Sequence, residues 1–254
     1  MLLNFLRYIR GTIRFFFVDL GIAQLYQIIS NSKVFSPKSP KSTLEIRLPS
    51  LPHSLTIRPT KADILVLWQT FGVRQCDVEL PPYIIPKLII DAGANIGSTA
   101  VFFAIKYPFA QIIAVEPHWW NVELARINTD YYPNIKIVEG AVYHQKTMLE
   151  IANLDAEHWA FQMRENLIPK TMENTIRGFT IDEIANGEVI DILKVDIEGA
   201  EKQLFAINTK WLSNVRSILV ECHGYKSRRI VSNTCINQGF KRKRHGEYDF
   251  FSTW

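Results

Sequence analysis

The chain has 254 residues, 47% of them hydrophobic and 21% charged, with a formal net charge of +4. That balance is ordinary for a folded globular protein with one sizeable core, and the charge gives only a weak pull toward anionic partners. Cys76, Cys222 and Cys235 fall at no metal-binding spacing, and an odd count without a signal peptide argues against a disulfide framework, so a reducing compartment is expected.

The opening stretch, MLLNFLRYIRGTIRFFFVDLGIAQLYQII, is apolar but broken by Arg7, Arg10, Arg14 and Asp19. No run approaches the roughly 18 residues of a membrane span, and no small-residue cleavage site follows a short apolar core. Leu3, Leu6, Ile9, Ile13 and Phe16 or Phe17 recur at helical spacing with the arginines mostly between them, which predicts an amphipathic helix with a basic edge. The stripe is expected to pack on the rest of the protein. The alternative is weak peripheral contact of residues 1–30 with an anionic membrane surface, the protein being otherwise cytoplasmic. NSKVFSPKSPK then reads as a linker. The chain divides into an N-terminal helical segment with its linker, residues 1–40, and one folded domain, residues 41–254.

TLEIRL and HSLTIRP predict two short strands with a proline-containing turn, and ADILVLWQTFG a short helix. From Lys87 onward strands and helices alternate. KLIIDAG is a strand, IGSTAVFFAIKYP a helix ended by Pro108, AQIIAVEP a strand, HWWNVELARINTDYYP a helix stopped by Pro133, and IKIVEGAV a third strand. Residues 145–180 read as irregular. DILKVDIEG is a fourth strand, AEKQLFAI a helix and VRSILVECH a fifth strand; CINQGFKRKRH and EYDFFSTW form a hairpin around a His-Gly-Glu turn. Short apolar strands alternating with helices mean an α/β fold, its mostly parallel sheet covered on both faces, here with a C-terminal antiparallel hairpin.

The turn after the first of these strands, Asp91 to Gly97, carries two glycines around Asn95 and opens a helix, so backbone N–H groups can approach a ligand closely. It lacks the lysine of a P-loop and the G-x-G-x-x-G of a dinucleotide site. Glu116 ends the next strand, where a carboxylate can accept both hydroxyls of a ribose. A nucleoside with a small polar tail fits these residues better than a pyrophosphate.

DAGANIG, VEP, EGAV, ILKVDIEGAE and ILVECH, occurring in this order, resemble the FkbM family of S-adenosylmethionine-dependent methyltransferases. The resemblance runs from about Leu44 to the C-terminus and includes TIRPTKADILVLWQTF upstream; only residues 155–180 match poorly, and Asp91-Ala92 stands where Asp-Val is commoner. It implies a Rossmann-like class I methyltransferase fold with a seven-stranded sheet, S-adenosyl-L-methionine as cofactor, and O-methylation of a sugar, glycolipid or secondary metabolite. By position, Asp91, Gly93, Asn95 and Gly97 would hold the methionine end of the cofactor. Glu116 would hold its ribose, and Ala141 or Val142, rather than Glu139, the adenine.

An alcohol acceptor must lose its proton as it attacks the methyl carbon, so a base is expected where strands four and five end. The candidates are Asp196, Glu198 and His223, with Glu221 beside them. Asp196 and Glu198, two apart on a strand, would share a face, and whether they hold a divalent metal is left open. Histidine has the ordinary pKa of a base at neutral pH. Lys194, alone in an apolar strand, is expected to pair with a neighbouring acid. Trp159 and Phe161 are candidates for an acceptor or adenine pocket. The partner class is a small-molecule or glycan acceptor and not nucleic acid, because the basic run Lys241–Arg244 splits between two strand faces. The rival reading is a non-catalytic docking module at a membrane surface, which would not require acids at Asp91, Glu116 and Asp196.

Overall fold

The computed structural model describes residues 9–31, 43–151, 163–165 and 175–254. Residues 9–14 are helical and run through a π-helical turn, Phe15–Asp19, into α1, Gly21–Asn31. Strands β1 (Leu44–Ile46) and β2 (Leu55–Ile57) pair antiparallel, and α2 (Lys61–Leu67) passes into a second π-helical turn, Trp68–Gly72. There follow β3 (Leu88–Ala92), α3 (Ser98–Lys106), β4 (Gln111–Glu116), α4 (Trp119–Thr129) and β5 (Ile135–Glu139). Four short strands, β6 (Ala141–Val142), β7 (Thr147–Ile151), β8 (Met163–Glu165) and β9 (Thr175–Phe179), precede α5 (Ile181–Ala185). The chain ends with β10 (Ile192–Val195), α6 (Glu201–Ala206), β11 (Ser217–Glu221), α7 (Tyr225–Asn237), β12 (Lys241–His245) and β13 (Tyr248–Ser252).

The central sheet has seven strands in the order β12-β13-β11-β10-β3-β4-β5. Strands β11, β10, β3, β4 and β5 are parallel, while β13 runs antiparallel to both its neighbours. This is the Rossmann-like class I methyltransferase fold. The parallel strands are apolar on both sides because both faces are covered. Ile90, Leu193 and Val220 point into a core closed by Phe205 and Trp211, and Ile89, Ile112 and Leu219 into one closed by Ala100 and Phe103. Successive strands step outward from β3 in one direction to β5 and then in the other to β10 and β11. The sheet therefore has its topological switch point between β3 and β10, where α/β folds bind ligands.

Four expectations need correction. Residues 145–180 are not irregular throughout: β6, β9, β7 and β8 make a separate four-stranded sheet. IKIVEGAV is not one strand but two, because the chain leaves the central sheet at Gly140, where Phe179 and the Arg177 carbonyl crowd the backbone, and β6 pairs with β9 instead. The expected strand CINQGFKRKRH begins only at Lys241; Cys235 to Asn237 end α7, whose Val231 and Cys235 are buried against the sheet. Asp196 and Glu198 lie beyond the end of β10, in a turn where Glu198 has φ +51. Trp159 and Phe161, like Leu3, Leu6 and Arg7, lie outside the described residues.

The N-terminal helix packs, but by another face than its apolar spacing suggested. Phe15 and Leu20 are fully buried with Ile46, Leu55 and Leu67, and the Trp68 indole N–H donates to Thr12 Oγ1 at 3.2 Å. Ile9, Ile13 and Phe17 are exposed. The π-helical turn at Phe15–Asp19 rotates the chain that follows it and so brings Leu20 to the same side as Phe15.

Helix α2 is anchored by a buried ion pair. Arg58 follows β2 and is 0% exposed; its Nη2 lies 2.7 Å from Asp63 Oδ1 and its Nε 3.0 Å from Asp63 Oδ2. Asp63 also accepts the Arg58 backbone N–H at 2.8 Å. Removing one partner would leave the other charge buried without compensation. Asp63→Ala is expected to lower stability by about 3–5 kcal/mol in urea unfolding; a loss below about 1 kcal/mol would contradict this account.

Candidate active site

At the switch point the turn after β3 lies directly against the turn after β10. Gly93 has φ +81, and a Cβ placed on it would overlap the Asp196 carbonyl oxygen. Its N–H and that of Ala94 donate to the Val115 carbonyl at the end of β4. Lys194 stands opposite Asp91 in the β10–β3 register. Its ammonium donates to the Gly93 carbonyl at 2.7 Å and lies 3.1 Å from Asp91 Oδ1 and 3.8 Å from Asp196 Oδ2. Burial alone would lower the Lys194 pKa, but Asp91 and Asp196 outweigh it and keep the ammonium charged. The expected pairing of this lysine with an acid is thus realised with two of them.

A cavity of about 320 Å³ opens over the carboxyl ends of β3, β4, β10 and β11, within the range of ligand sites. Glu116 lines it, and both its oxygens are engaged. Oε2 accepts the Asn95 N–H at 2.9 Å; Oε1 accepts the His118 N–H and the Asn121 side-chain amide, each at 3.0 Å. Burial pushes the Glu116 carboxyl above its ordinary range, opposed by these three donors. Since a carboxylate offers about four lone-pair positions, room for a hydroxyl remains. Asn95, with φ +51, keeps its Oδ1 buried and without a hydrogen-bond partner beside the cavity. Ala141 and Val142 line the apolar side.

The opposite wall is charged. His223, just after β11, places Nδ1 3.0 Å from Glu201 Oε1 and Nε2 3.3 Å from Glu198 Oε2 and 4.0 Å from Asp196 Oδ1. Glu201 is 0% exposed and also accepts the Gly199 N–H at 3.0 Å and the Ser227 hydroxyl at 3.3 Å. Asp196 accepts the Tyr248 hydroxyl on Oδ2, while its Oδ1 is buried without a hydrogen-bond partner. The hydrogen bond that His223 donates to Glu201, aided by the charges of Glu198, Glu201 and Asp196, pushes the His223 pKa up to about 9 against its burial. Carboxylates at both ring nitrogens thus favour the charged form of His223 over the free imidazole that its ordinary pKa suggested. Burial and the charge of Asp196 push Glu198 up to about 7; burial, Asp196 and Glu247 do the same for Glu221.

Residues 91–243 match the family described as the methyltransferase FkbM domain. The chain belongs to the FkbM methyltransferase family. It is 20% identical over 206 residues to Methyltransferase 1 of Beauveria bassiana, covering 71% of this chain and 82% of that protein. It is 27% identical over 173 residues to Methyltransferase sdnD of Sordaria araneosa, covering 52% of this chain and 65% of that one. Among solved structures, it is similar to Methyltransferase FkbM from Methylobacillus flagellatus, with 12% identity and a TM-score of 0.49 over 72% of this chain and 47% of that chain.

Within this FkbM domain the cavity gathers Gly93, Asn95, Glu116, Ala141, Val142, Asp196, Glu198 and His223 from the sequence candidates. Asp91 and Gly97 are not on its surface. Asp91 lies beneath the turn, fully buried and paired to Lys194, so an amino group in the cavity has Asn95 Oδ1 and carbonyls to meet instead. Gly97 sits with φ +83 against Ala125 of α4, where it lets the two helices approach. Sequence reasoning missed Asn121, Tyr248, Glu201 and Glu247. Asn121 sits five residues after Glu116 on the helix that follows, and Glu201 three after Glu198, spacings that hint at contact. Tyr248 and Glu247 reach the site only because the hairpin returns beside β11, and no local signal announces them.

The glycine contact gives a direct test. Gly93→Ala must drive the β3 and β10 turns apart and strain a left-handed residue. It is expected to abolish ligand binding to the cavity while the far half of the sheet stays folded, as read by calorimetry and hydrogen exchange. Unchanged binding would show that the two turns do not touch.

Proposed function

We propose that this protein is an S-adenosylmethionine-dependent O-methyltransferase acting on a hydroxyl of a sugar, glycolipid or secondary metabolite. The observation that supports it is a single residue shared by both halves of the cavity. The Asp196 carbonyl closes on the glycine turn, and its carboxylate stands in the acid–imidazole cluster. The residues fit the cofactor. Gly93 leaves the space a side chain would fill, Asn95 Oδ1 is a spare acceptor for an ammonium, Glu116 faces the place of a ribose, and Ala141 and Val142 give an apolar slot. When bound, S-adenosylmethionine supplies a methyl group on a sulfonium, whose neutral thioether leaves without needing an acid.

The remaining work falls to the charged wall. An acceptor hydroxyl has to be held in line and must lose its proton. The Asp196 carboxylate is the proton acceptor on this reading, steadied by Tyr248 and Lys194. Glu198 and the imidazolium of His223 orient the acceptor. Methyl-labelled cofactor incubated with the enzyme and cell extract should yield a product one methylene heavier by mass spectrometry. Glu116→Ala is expected to weaken cofactor binding about tenfold or more, as loss of a charged acceptor does. Asp196→Asn should bind cofactor near wild type but slow single-turnover methylation of that acceptor. Absence of cofactor binding by the wild type, or an Asp196→Asn rate within about twofold of it, would overturn the reading.

The N-terminal segment supports a surface location. Among the described residues, no helix is long and apolar enough to cross a membrane. Ile13, Phe17, Val18, Ile22 and Tyr26 nevertheless stay exposed, with Arg10 and Arg14 beside them on the same helical side. That is the pattern of a helix resting on an anionic bilayer. The protein is expected to co-sediment weakly with phosphatidylserine vesicles, and less at high salt. Salt-resistant association requiring detergent, or none at low salt, would contradict this.

A further inference from the structure

We propose that Asp196, Glu198 and His223 form a binding site for a divalent cation of the Mn²⁺ type on the acceptor side of the cavity. Each offers one ligand atom, and the three atoms all lie within 4.8 Å of one another. Ligands held at about 2.1 Å from an ion lie roughly 3 to 4.2 Å apart, so even a pair at the 4.8 Å limit needs to draw in by no more than about half an ångström. The closer pairs, His223 Nε2 with Glu198 Oε2 at 3.3 Å and with Asp196 Oδ1 at 4.0 Å, already fall in that span.

Two further observations favour an ion over a plain hydrogen-bonded cluster. The first lies outside the three ligands. Glu201, wholly buried and held by Gly199 and Ser227, accepts a hydrogen bond from His223 Nδ1 and turns Nε2 toward the two carboxylates, where a bound ion would displace the Nε2 proton. Metal-bound histidines are commonly oriented this way, by a carboxylate on the far ring nitrogen. The second is that the two Asp196 oxygens are treated differently. Oδ2 receives Tyr248 and faces Lys194, whereas Oδ1, on the side of His223, is buried with no hydrogen bond. Glu221 and Glu247 add negative charge along the same wall.

One imidazole with two carboxylates suits Mn²⁺, a carboxylate-binding ion of a transition metal that also takes nitrogen, better than Mg²⁺ or Ca²⁺, which favour oxygen alone. Three protein ligands leave coordination positions open toward the cavity, and these would suit two neighbouring oxygens of the acceptor, such as a vicinal diol. That assignment of acceptor rests on the methyltransferase reading; the cation site itself does not.

The test is titration of the purified full chain with Mn²⁺, followed by electron paramagnetic resonance of the free ion. Wild type is expected to bind one Mn²⁺ per chain. Glu198→Gln and His223→Ala should weaken it about tenfold or more, and Glu201→Gln, which touches only the far ring nitrogen, by about tenfold. Should His223→Ala fail to fold, Glu198→Gln carries the test, because its side chain faces the cavity. No Mn²⁺ bound at millimolar concentration, or equal binding by wild type and Glu198→Gln, overturns the site. Methyl transfer that persists in chelator with no Mn²⁺ bound would refute the cation and leave the methyltransferase reading standing. Mn²⁺ bound and lost in the variants, with no cofactor bound by the wild type, would do the reverse.

Discussion

The buried Lys194 ammonium is the interaction on which the rest of the site depends. It joins three things that lie far apart in the chain: the Asp91 carboxylate on β3, the Gly93 carbonyl in the turn above it, and the Asp196 carboxylate past β10. A lysine in an apolar strand is costly unless its charge is matched, and here the cost is offset by two acids and a carbonyl. The geometry follows from the parallel register, which places Lys194 directly opposite Asp91. The same ammonium therefore holds the two turns in contact at the one place where the sheet changes direction. Asp91 contributes from beneath that contact, as a support for the turn.

Around this point the cavity is built from two kinds of wall. One is made by backbone, a single hydrogen-bonded acid and apolar side chains: the Gly93–Asn95 turn, Glu116 held by three N–H donors with one acceptor position left, and the small apolar residues of β6. The other is made by charge, with His223 set between Glu201 and Glu198. The two differ as their tasks would require. On the proposed function, a nucleoside cofactor would be recognised by shape and by hydrogen bonds that already exist, whereas activating a hydroxyl would need groups that hold or attract a proton. The imidazolium of His223 and the raised carboxyls of Glu198 and Glu221 are products of one crowded cluster, each shifted by its neighbours.

The remaining wall comes from parts of the chain far from the sheet's switch point. The side-chain amides of Gln69 and Gln75 both donate to Glu247 at 3.1 Å, tying the segment after α2 to the terminal hairpin. Asn128 on α4 pairs with both backbone groups of Thr56 in β2 and with the Ile96 carbonyl, so the small antiparallel pair is fastened to the helix beside the glycine turn. The N-terminal helix packs behind this assembly through Phe15 and Leu20. Its exposed apolar side is thus fixed relative to the α2 segment, which contributes Leu65 and Gln69 to the cavity.

By itself, the sequence determined the α/β class, the parallel order of strand and helix, the family, and the cavity residues that stand in the turns at strand ends. These properties are local: a short apolar strand, a glycine turn and a closing acid are each set by a few consecutive residues. Tertiary structure decided what depends on contact between distant segments. It placed Asp91 under the turn and away from the cavity, because the residue opposite it in the neighbouring strand is a lysine. It favoured the charged form of His223, because Glu201, twenty-two positions earlier, meets its ring. It brought Asp196 and Glu198 together through a turn with a left-handed residue, where alternation along a strand had suggested a shared face. It also chose which side of the N-terminal helix to bury. Its apolar residues are spread around the circumference, and only the docking of Phe15 and Leu20 onto β1, β2 and α2 selects one face.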